Sequence, residues 1–143
     1  MSLQLVRVID HLPTDFPALQ AEAEREGHRN LTRLAQEWSA DPTEFVALLA
    51  AFYDGRLVGI GGMTREPDSS DEPTLRMRRL YVSPQARRQG MARVIANALL
   101  QEAFDQSALV TVHAGNAGAA AFWMAMGFAP AEGRNWSHER RPH

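Results

Sequence analysis

RRLYVSPQARRQGMARVIANALL, residues 78 to 100, decides how the chain is read. Its opening residues are rich in apolar side chains, as in a strand, and its close carries Met91, Val94, Ile95, Ala98 and Leu99 on one face of a helix. Between them Ser83-Pro84 turns the chain, and Arg87 and Arg88 precede a lone glycine, Gly90. Backbone N–H groups at a helix start have no partner within the helix, and the helix dipole is positive there. Glycine lets a ligand approach the backbone closely. Guanidinium groups suit phosphate oxygens, each charge-assisted bond contributing about 1.5–3 kcal/mol. The turn is therefore either a cradle for a phosphate-bearing ligand or a plain helix start with solvated arginines. R-x-x-G-x-A alone does not separate the two.

The strand before the turn, residues 74 to 82, changes phase. Leu75 and Met77 fall on one face by alternation, Leu80 and Val82 on the other. A β-bulge near Arg78-Arg79 would cause the slip, because it adds a residue to one strand and re-aims everything after it. The alternative is a regular strand with Leu75, Met77 and Tyr81 on one face.

Further out, residues 3 to 9 read as a strand, and residues 12 to 27 and 28 to 42 as two helices. The first is capped by Thr14 or Asp15 and stopped by Gly27; the second ends before Pro42. Residues 44 to 66 form a hairpin about Asp54-Gly55, a pair suited to the positive φ of a type I′ turn. PDSSDEP, residues 67 to 73, is a polar loop. Residues 108 to 114 read as a short strand, 116 to 126 as an alanine-rich helix closed by Gly127, and 128 to 141 as a last turn and hairpin. Hairpins followed by a strand–helix–strand crossover predict one mixed sheet with helices on both faces.

The chain has 143 residues, the size of one domain. Its 17 acidic and 15 basic residues leave a net charge of −2, which argues against a nucleic-acid partner. There is no apolar stretch of membrane-spanning length, and no secretory signal is expected from MSLQLVRVID. Cysteine is absent, which excludes thiolate catalysis and cysteine-ligated metal and fits a cytoplasmic protein; no metal site is expected. Every basic residue other than histidine is arginine, so lysine chemistry is excluded too.

The opening stretch resembles the acetyl-coenzyme A signature of the GNAT superfamily of N-acetyltransferases: a strand ending L-x-V, then [QR]-x-x-G-x-[GA], then an amphipathic helix. Leu80, Val82, Arg87, Gly90 and Ala92 match. NAGAAAFWMAMGF resembles the family's N-x-x-A-x-x-F-Y-x-x-x-G-F segment through Asn116, Ala119, Phe122, Gly127 and Phe128. The order of elements is similar as well, so the resemblance covers nearly the whole chain. It implies an α/β fold of the α+β type over residues 1 to 143. The expected architecture is a mixed sheet of about six to seven strands, about four helices and a bulge in the fourth strand.

The resemblance also implies roles. Backbone groups of Leu80 and Val82, flanking Tyr81, would pair with the pantetheine arm as an added strand. Amides of Arg87, Arg88, Gln89, Gly90, Met91 and Ala92 would wrap the pyrophosphate. Asn116 would bond the arm, unless it serves only as a helix N-cap. Ala119, Phe122 and Trp123 complete the cofactor set, although core packing also accounts for Phe122. The implied reaction is acetyl transfer from acetyl-CoA to a primary amine of a small molecule or peptide. Members often form homodimers, but no stripe in this sequence marks an interface.

Two departures bear on chemistry. Trp123 stands where the family usually has a tyrosine that protonates the leaving thiolate, and Arg76 stands near the position where members often carry a glutamate. An indole N–H is no usable acid, and a guanidinium accepts no proton near neutrality. Tyr81 and His113 are the candidate replacements, and either has a structural explanation as well. His28 is a candidate for the acceptor side. Glu66, Asp68, Asp71 and Glu72 either attract a cationic amine or form a solvated turn. Reversing the protonation of a lysine-like amine at neutral pH costs roughly 4–5 kcal/mol, against about 1 for an α-amino group, which favours a less basic acceptor. Two other readings are an acyl-CoA-binding module without turnover and a nucleotide-binding domain. The second is weakened by the absence of G-x-G-x-x-G at the turn.

Overall fold

The computed structural model describes residues 2–67 and 72–142. The elements are β1 (Leu3–Arg7), α1 (Phe16–Arg25), α2 (Asn30–Ala40), β2 (Phe45–Tyr53), β3 (Arg56–Arg65), β4 (Thr74–Val82), α3 (Met91–Phe104), β5 (Leu109–Val112), α4 (Ala117–Ala125), β6 (Ala129–Pro130) and β7 (His138–Arg140). They build one seven-stranded sheet in the order β1-β2-β3-β4-β5-β7-β6. Its pairs are antiparallel except β4 and β5, which run parallel and are joined through α3. The mixed α/β architecture is the one expected.

Local chemistry explains most boundaries. Asp54 (φ 50°) and Gly55 (φ 83°) both take the positive φ that the β2–β3 turn demands. At the end of α1, Gly27 adopts φ 86°, and the N–H of His28 bonds back to the carbonyl of Ala23, a left-handed C-terminal close. The end of β1 and the buried face of α3 differ from expectation. β1 stops at Arg7, and Ile9 lies 69% exposed outside the sheet. In α3, Val94 faces solvent, and the buried stripe runs instead through Met91, Ile95, Ala96, Leu99, Leu100 and Ala103. The helix rotates because its ridge is Ile95 and Leu99, which press on a glycine-lined stretch of β3.

That contact is tight. A Cβ added at Gly61 would stand 2.9 Å from Ile95 Cγ2 and 3.0 Å from Leu80 Cδ1; one added at Gly59 would stand 3.1 Å from Ile95 Cδ1. The side-chain-free backbone lets α3 sit against β3, and with α4 it closes one core, which includes Met63, Leu75, Met77, Val82, Trp123 and Phe128. On the other sheet face α1 and α2 bury Phe16, Leu31, Leu34 and Trp38 against Leu48, Ile60 and Tyr81.

β4 carries the bulge. Tyr81 pairs with Ile60 and Arg78 with Gly62, so Arg79 and Leu80 together stand opposite Gly61. Arg79 takes φ 61°, a conformation costly for a residue with a Cβ. The regular-strand alternative is thereby overturned: Leu80 and Val82 join Leu75 and Met77 on the α3 side, and Tyr81 turns toward α1 and α2. A carboxylate from α2 holds the bulged segment. Glu37 accepts from Arg79 Nε (3.0 Å) and Nη2 (2.7 Å), and from Arg78 Nη2 (2.9 Å). Burial alone would push the Glu37 carboxyl up, but the hydrogen bonds and charges of the two arginines outweigh it and hold the carboxyl below its usual range.

Gly61→Val should destabilise the protein by about 2–3 kcal/mol through overpacking against Ile95. Ile95→Ala in the same chain should recover part of that loss in a double-mutant cycle read by chemical denaturation. Because the Glu37 carboxyl is lowered on folding, its contribution is present above its ordinary value of 4.5 and lost as pH falls through the lower folded value. Unfolding free energy should therefore fall between about pH 5 and 3 more steeply in the wild type than in Glu37→Gln.

Candidate functional site

β4 and β5 pair only where Thr74, Leu75 and Arg76 meet Leu109, Val110 and Thr111. Beyond Arg76, β4 runs on to Val82 while β5 ends at Val112, so the two parallel strands part like a fork. The β5-facing edge of β4 is left without a strand partner there, and such an edge can accept an extended ligand by main-chain hydrogen bonds. The bulge lies within this open stretch. Asn30, at the start of α2, reaches into it and donates from Nδ2 to the Leu80 carbonyl (3.2 Å).

Two cavities meet at the fork. One, of about 680 Å³, is lined by Leu80, Tyr81, Val82, Arg87, Ala92, Asn116, Ala119, Phe122 and Trp123, among others. These are nine of the residues that the family resemblance assigns to the cofactor. The other cavity, of about 520 Å³, lies toward the α1–α2 connection and carries His28, Arg29, Arg33, Arg78, Arg79 and His113 on its walls. His28, Asn30, Leu80, Asn116 and Trp123 line both, so the two are continuous in their walls.

The glycine turn flanks the larger cavity. Arg88 and Gly90 take positive φ (68° and 77°), and α3 begins with no side chain capping its first amides. A Cβ at Gly90 would meet nothing within 4 Å, so the space over this helix start is open. Arg88, Gln89 and Gly90 are exposed, while the Met91 side chain points into the core and only its amide serves the turn. Uncapped amides at a helix start with φ-positive residues before them fit a phosphate group. Arg87 is committed elsewhere. Its Nε donates to the Val82 carbonyl (3.1 Å) and its terminal nitrogens to Glu26 (2.8 and 2.6 Å).

Glu26 also accepts from the Tyr81 hydroxyl (2.6 Å). The Arg87 hydrogen bonds, with that of Tyr81, hold the Glu26 carboxyl below its ordinary value. Burial, and then the bond to Glu26, push the Tyr81 phenol well above its ordinary value. Tyr81 thus ties β4 to the end of α1.

His113 follows β5. Its Nε2 lies 2.8 Å from Glu66 Oε1, and the same oxygen accepts from Thr111 Oγ1 at 2.8 Å. The Glu66 side chain is 0% exposed and that of His113 28%, so a buried carboxylate backs an imidazole that reaches a cavity wall. With Glu66 ionised it can only accept, which would make Nε2–H the donor and leave the imidazole lone pair on Nδ1. Arg76 sits half-buried beside them, its Nε without a hydrogen-bond partner, and burial lowers its pKa from the ordinary value.

The remaining expected residues are placed as follows. Asn116 is extended (φ −159°), and its Oδ1 accepts from the Ala119 N–H (2.8 Å), so it caps α4 while lining both cavities. Trp123 is 8% exposed and packs edge-on against Phe122 and Phe128. Of the acidic loop, Glu66 turns inward to His113, Glu72 pairs with Arg141, and Asp68 and Asp71 lie outside the described residues. Glu26, Asn30, Glu37 and the inward role of Glu66 escaped the sequence reading. Each is a polar residue, three of them at element ends and Glu37 within α2, and periodicity says nothing about the partner across the fold. Among the described residues no helix is long and apolar enough to cross a membrane, and no group of three or more histidines and carboxylates could hold a metal ion.

Among solved structures, a protein described as an acetyltransferase from Exiguobacterium sp. 255-15 superposes with a TM-score of 0.86 at 22% identity, covering 99% of this chain and 94% of that one. A GNAT family N-acetyltransferase from Escherichia coli, crystallised with CoA, gives 0.73 at 20% identity over 97% of this chain and 81% of that one. The ribosomal-protein-S18-alanine N-acetyltransferase of Escherichia coli gives 0.69 at 18% identity over 96% and 91%. At these identities the likeness is one of fold. A comparison with curated proteins found no match. The model of the acetyltransferase (GNAT) family matches residues 5–128. With a match running from the first strand to the close of α4, the chain belongs to the acetyltransferase (GNAT) family.

Proposed function

We propose that the protein is an acetyl-CoA-dependent N-acetyltransferase that moves an acetyl group directly to a primary amine of a small molecule or peptide, all within one catalytic domain. The observation that carries this reading is the junction of the two cavities at Leu80, Asn116 and Trp123, with the carboxylate-backed His113 on the wall of the smaller one.

In this reading the open edge of β4 at Leu80 and Val82 holds the pantetheine arm. The amides from Arg87 to Ala92 hold the pyrophosphate, and Asn116, Ala119 and Phe122 line the arm's other side. When bound, acetyl-CoA supplies the acetyl thioester, and the carbon–sulfur bond breaks as the amine nitrogen bonds to the carbonyl carbon. Backbone N–H groups near Val82 offer themselves to the carbonyl oxygen as charge develops on it. Of the two candidate proton carriers, His113 is the one this reading uses, because the Tyr81 hydroxyl is bound to Glu26 and its phenol is pushed up. His113 takes the proton that the amine loses and returns it to the departing sulfur, with Glu66 holding the ring in one orientation. Trp123 excludes water at the junction.

A second reading, an acyl-CoA-binding module without turnover, is favoured by Trp123 and Arg76 at the positions named above. Release of free thiol from acetyl-CoA in the presence of a panel of amines distinguishes them: turnover supports the enzyme, and tight CoA binding without thiol release for any amine supports the module.

His113→Gln should lower kcat about 10²-fold or more while leaving CoA affinity within about twofold, measured by thiol release and calorimetry. Gly90→Glu should abolish CoA binding by calorimetry, since it puts bulk and negative charge over the uncapped helix start. Because space there is open, the variant should stay folded at a cost of about 1 kcal/mol for its positive φ.

A further inference from the structure

The smaller cavity is cationic, with no opposing carboxylate on its walls among the described residues. Arg29, Arg33, Arg78 and Arg79 line it together with His113, and among the described residues no aspartate or glutamate does. Glu37, behind the wall, neutralises one charge of the Arg78–Arg79 pair. Arg29 and Arg33 are exposed and make no ion pair with any described carboxylate. Arg78 keeps a buried Nε with no hydrogen-bond partner, even though its Nη2 is engaged by Glu37. A cavity of about 520 Å³ is the size of a small-molecule site. A low-dielectric concavity lined by one sign of charge concentrates ligands of the opposite sign.

We infer that the acetyl acceptor is a small amine that also carries a carboxylate, an amino acid or a compound built like one. This rests on the proposed acetyltransferase function and names its acceptor. The planar forks of Arg29 and Arg33 match a carboxylate in two-bond geometry, whereas a diamine or a lysine-rich peptide would meet uncompensated positive charge. Of the loop carboxylates that could attract a cationic amine, Glu66 is buried behind His113 and Glu72 pairs with Arg141, while Asp68 and Asp71 lie outside the described residues. The amine end of such an acceptor would lie toward His113 and the junction, its carboxylate toward the α1–α2 connection.

The test compares amino acids with their carboxamides, with diamines of equal length, and with an acidic peptide. The full chain is used, saturated with acetyl-CoA for thiol release and with CoA for calorimetric binding. Amino acids should exceed their amides at least tenfold in kcat/KM and in affinity, and diamines should trail both. The double variant Arg29→Gln, Arg33→Gln should shrink the acid-to-amide ratio at least tenfold, chiefly through KM. Equal handling of acid and amide, or preference for the diamine, overturns the inference; so does a preference for the acidic peptide over every small acid. If no amine releases thiol but the amino acids alone bind the CoA complex, the anion site stands and the acetyltransferase reading falls. If amines turn over with no regard to their carboxylate, the acetyltransferase reading stands and this inference falls.

Discussion

Opposite Gly61, β4 places two residues where one would keep the ladder regular, and the site depends on that extra residue. It forces Arg79 into a left-handed conformation, moves Leu80 and Val82 to the face under α3, and turns Tyr81 the other way. It also lies where β4 has already parted from β5, so the irregularity sits on backbone whose β5-facing edge is open. Such a distortion persists only when its surroundings over-determine it. Here they do. Glu37 grips both arginines, Asn30 bonds the Leu80 carbonyl, and glycines at 59 and 61 give α3 room to press Ile95 against the opposite strand.

The same elements divide the fork into two chemically different halves. Toward α3 and α4 the walls are largely apolar and end at an uncapped helix start. Toward the α1–α2 connection they are guanidinium and imidazole. In the proposed reading the first half takes a long ligand with a charged end and an extended arm, and the second a compact anionic amine. Glu26 braces the boundary by holding Arg87 and Tyr81 together, which ties the turn, the strand and α1 into one unit.

Much of this was legible in the sequence because it depends on near neighbours in the chain. The phase slip between Met77 and Leu80 pointed to the bulge, Asp54-Gly55 to the hairpin turn, and Gly90 to an open helix start. The face of α3 was misread at Val94, since which stripe packs depends on glycines in a strand some thirty residues earlier and not on the helix's own pattern. The partner of His113 was hidden for a similar reason. Glu66 closes the expected hairpin just before a proline and a polar loop, yet a main-chain bond to Thr74 carries it to Thr111, 45 positions on. Charge patterning was silent on the basic cavity, which is assembled from the α1–α2 junction and strand residues far apart in sequence.

The most direct measurement of the central claim is a titration of the isotopically labelled protein with coenzyme A, followed through backbone amide NMR signals. If the fork and the helix start together hold that molecule, the signals of residues 80–82 and 87–92 shift and saturate along one binding curve, while those of β1 and β2 stay in place. Shifts confined to exposed arginines elsewhere, or no shift at 80–82 and 87–92 at saturation, would contradict it.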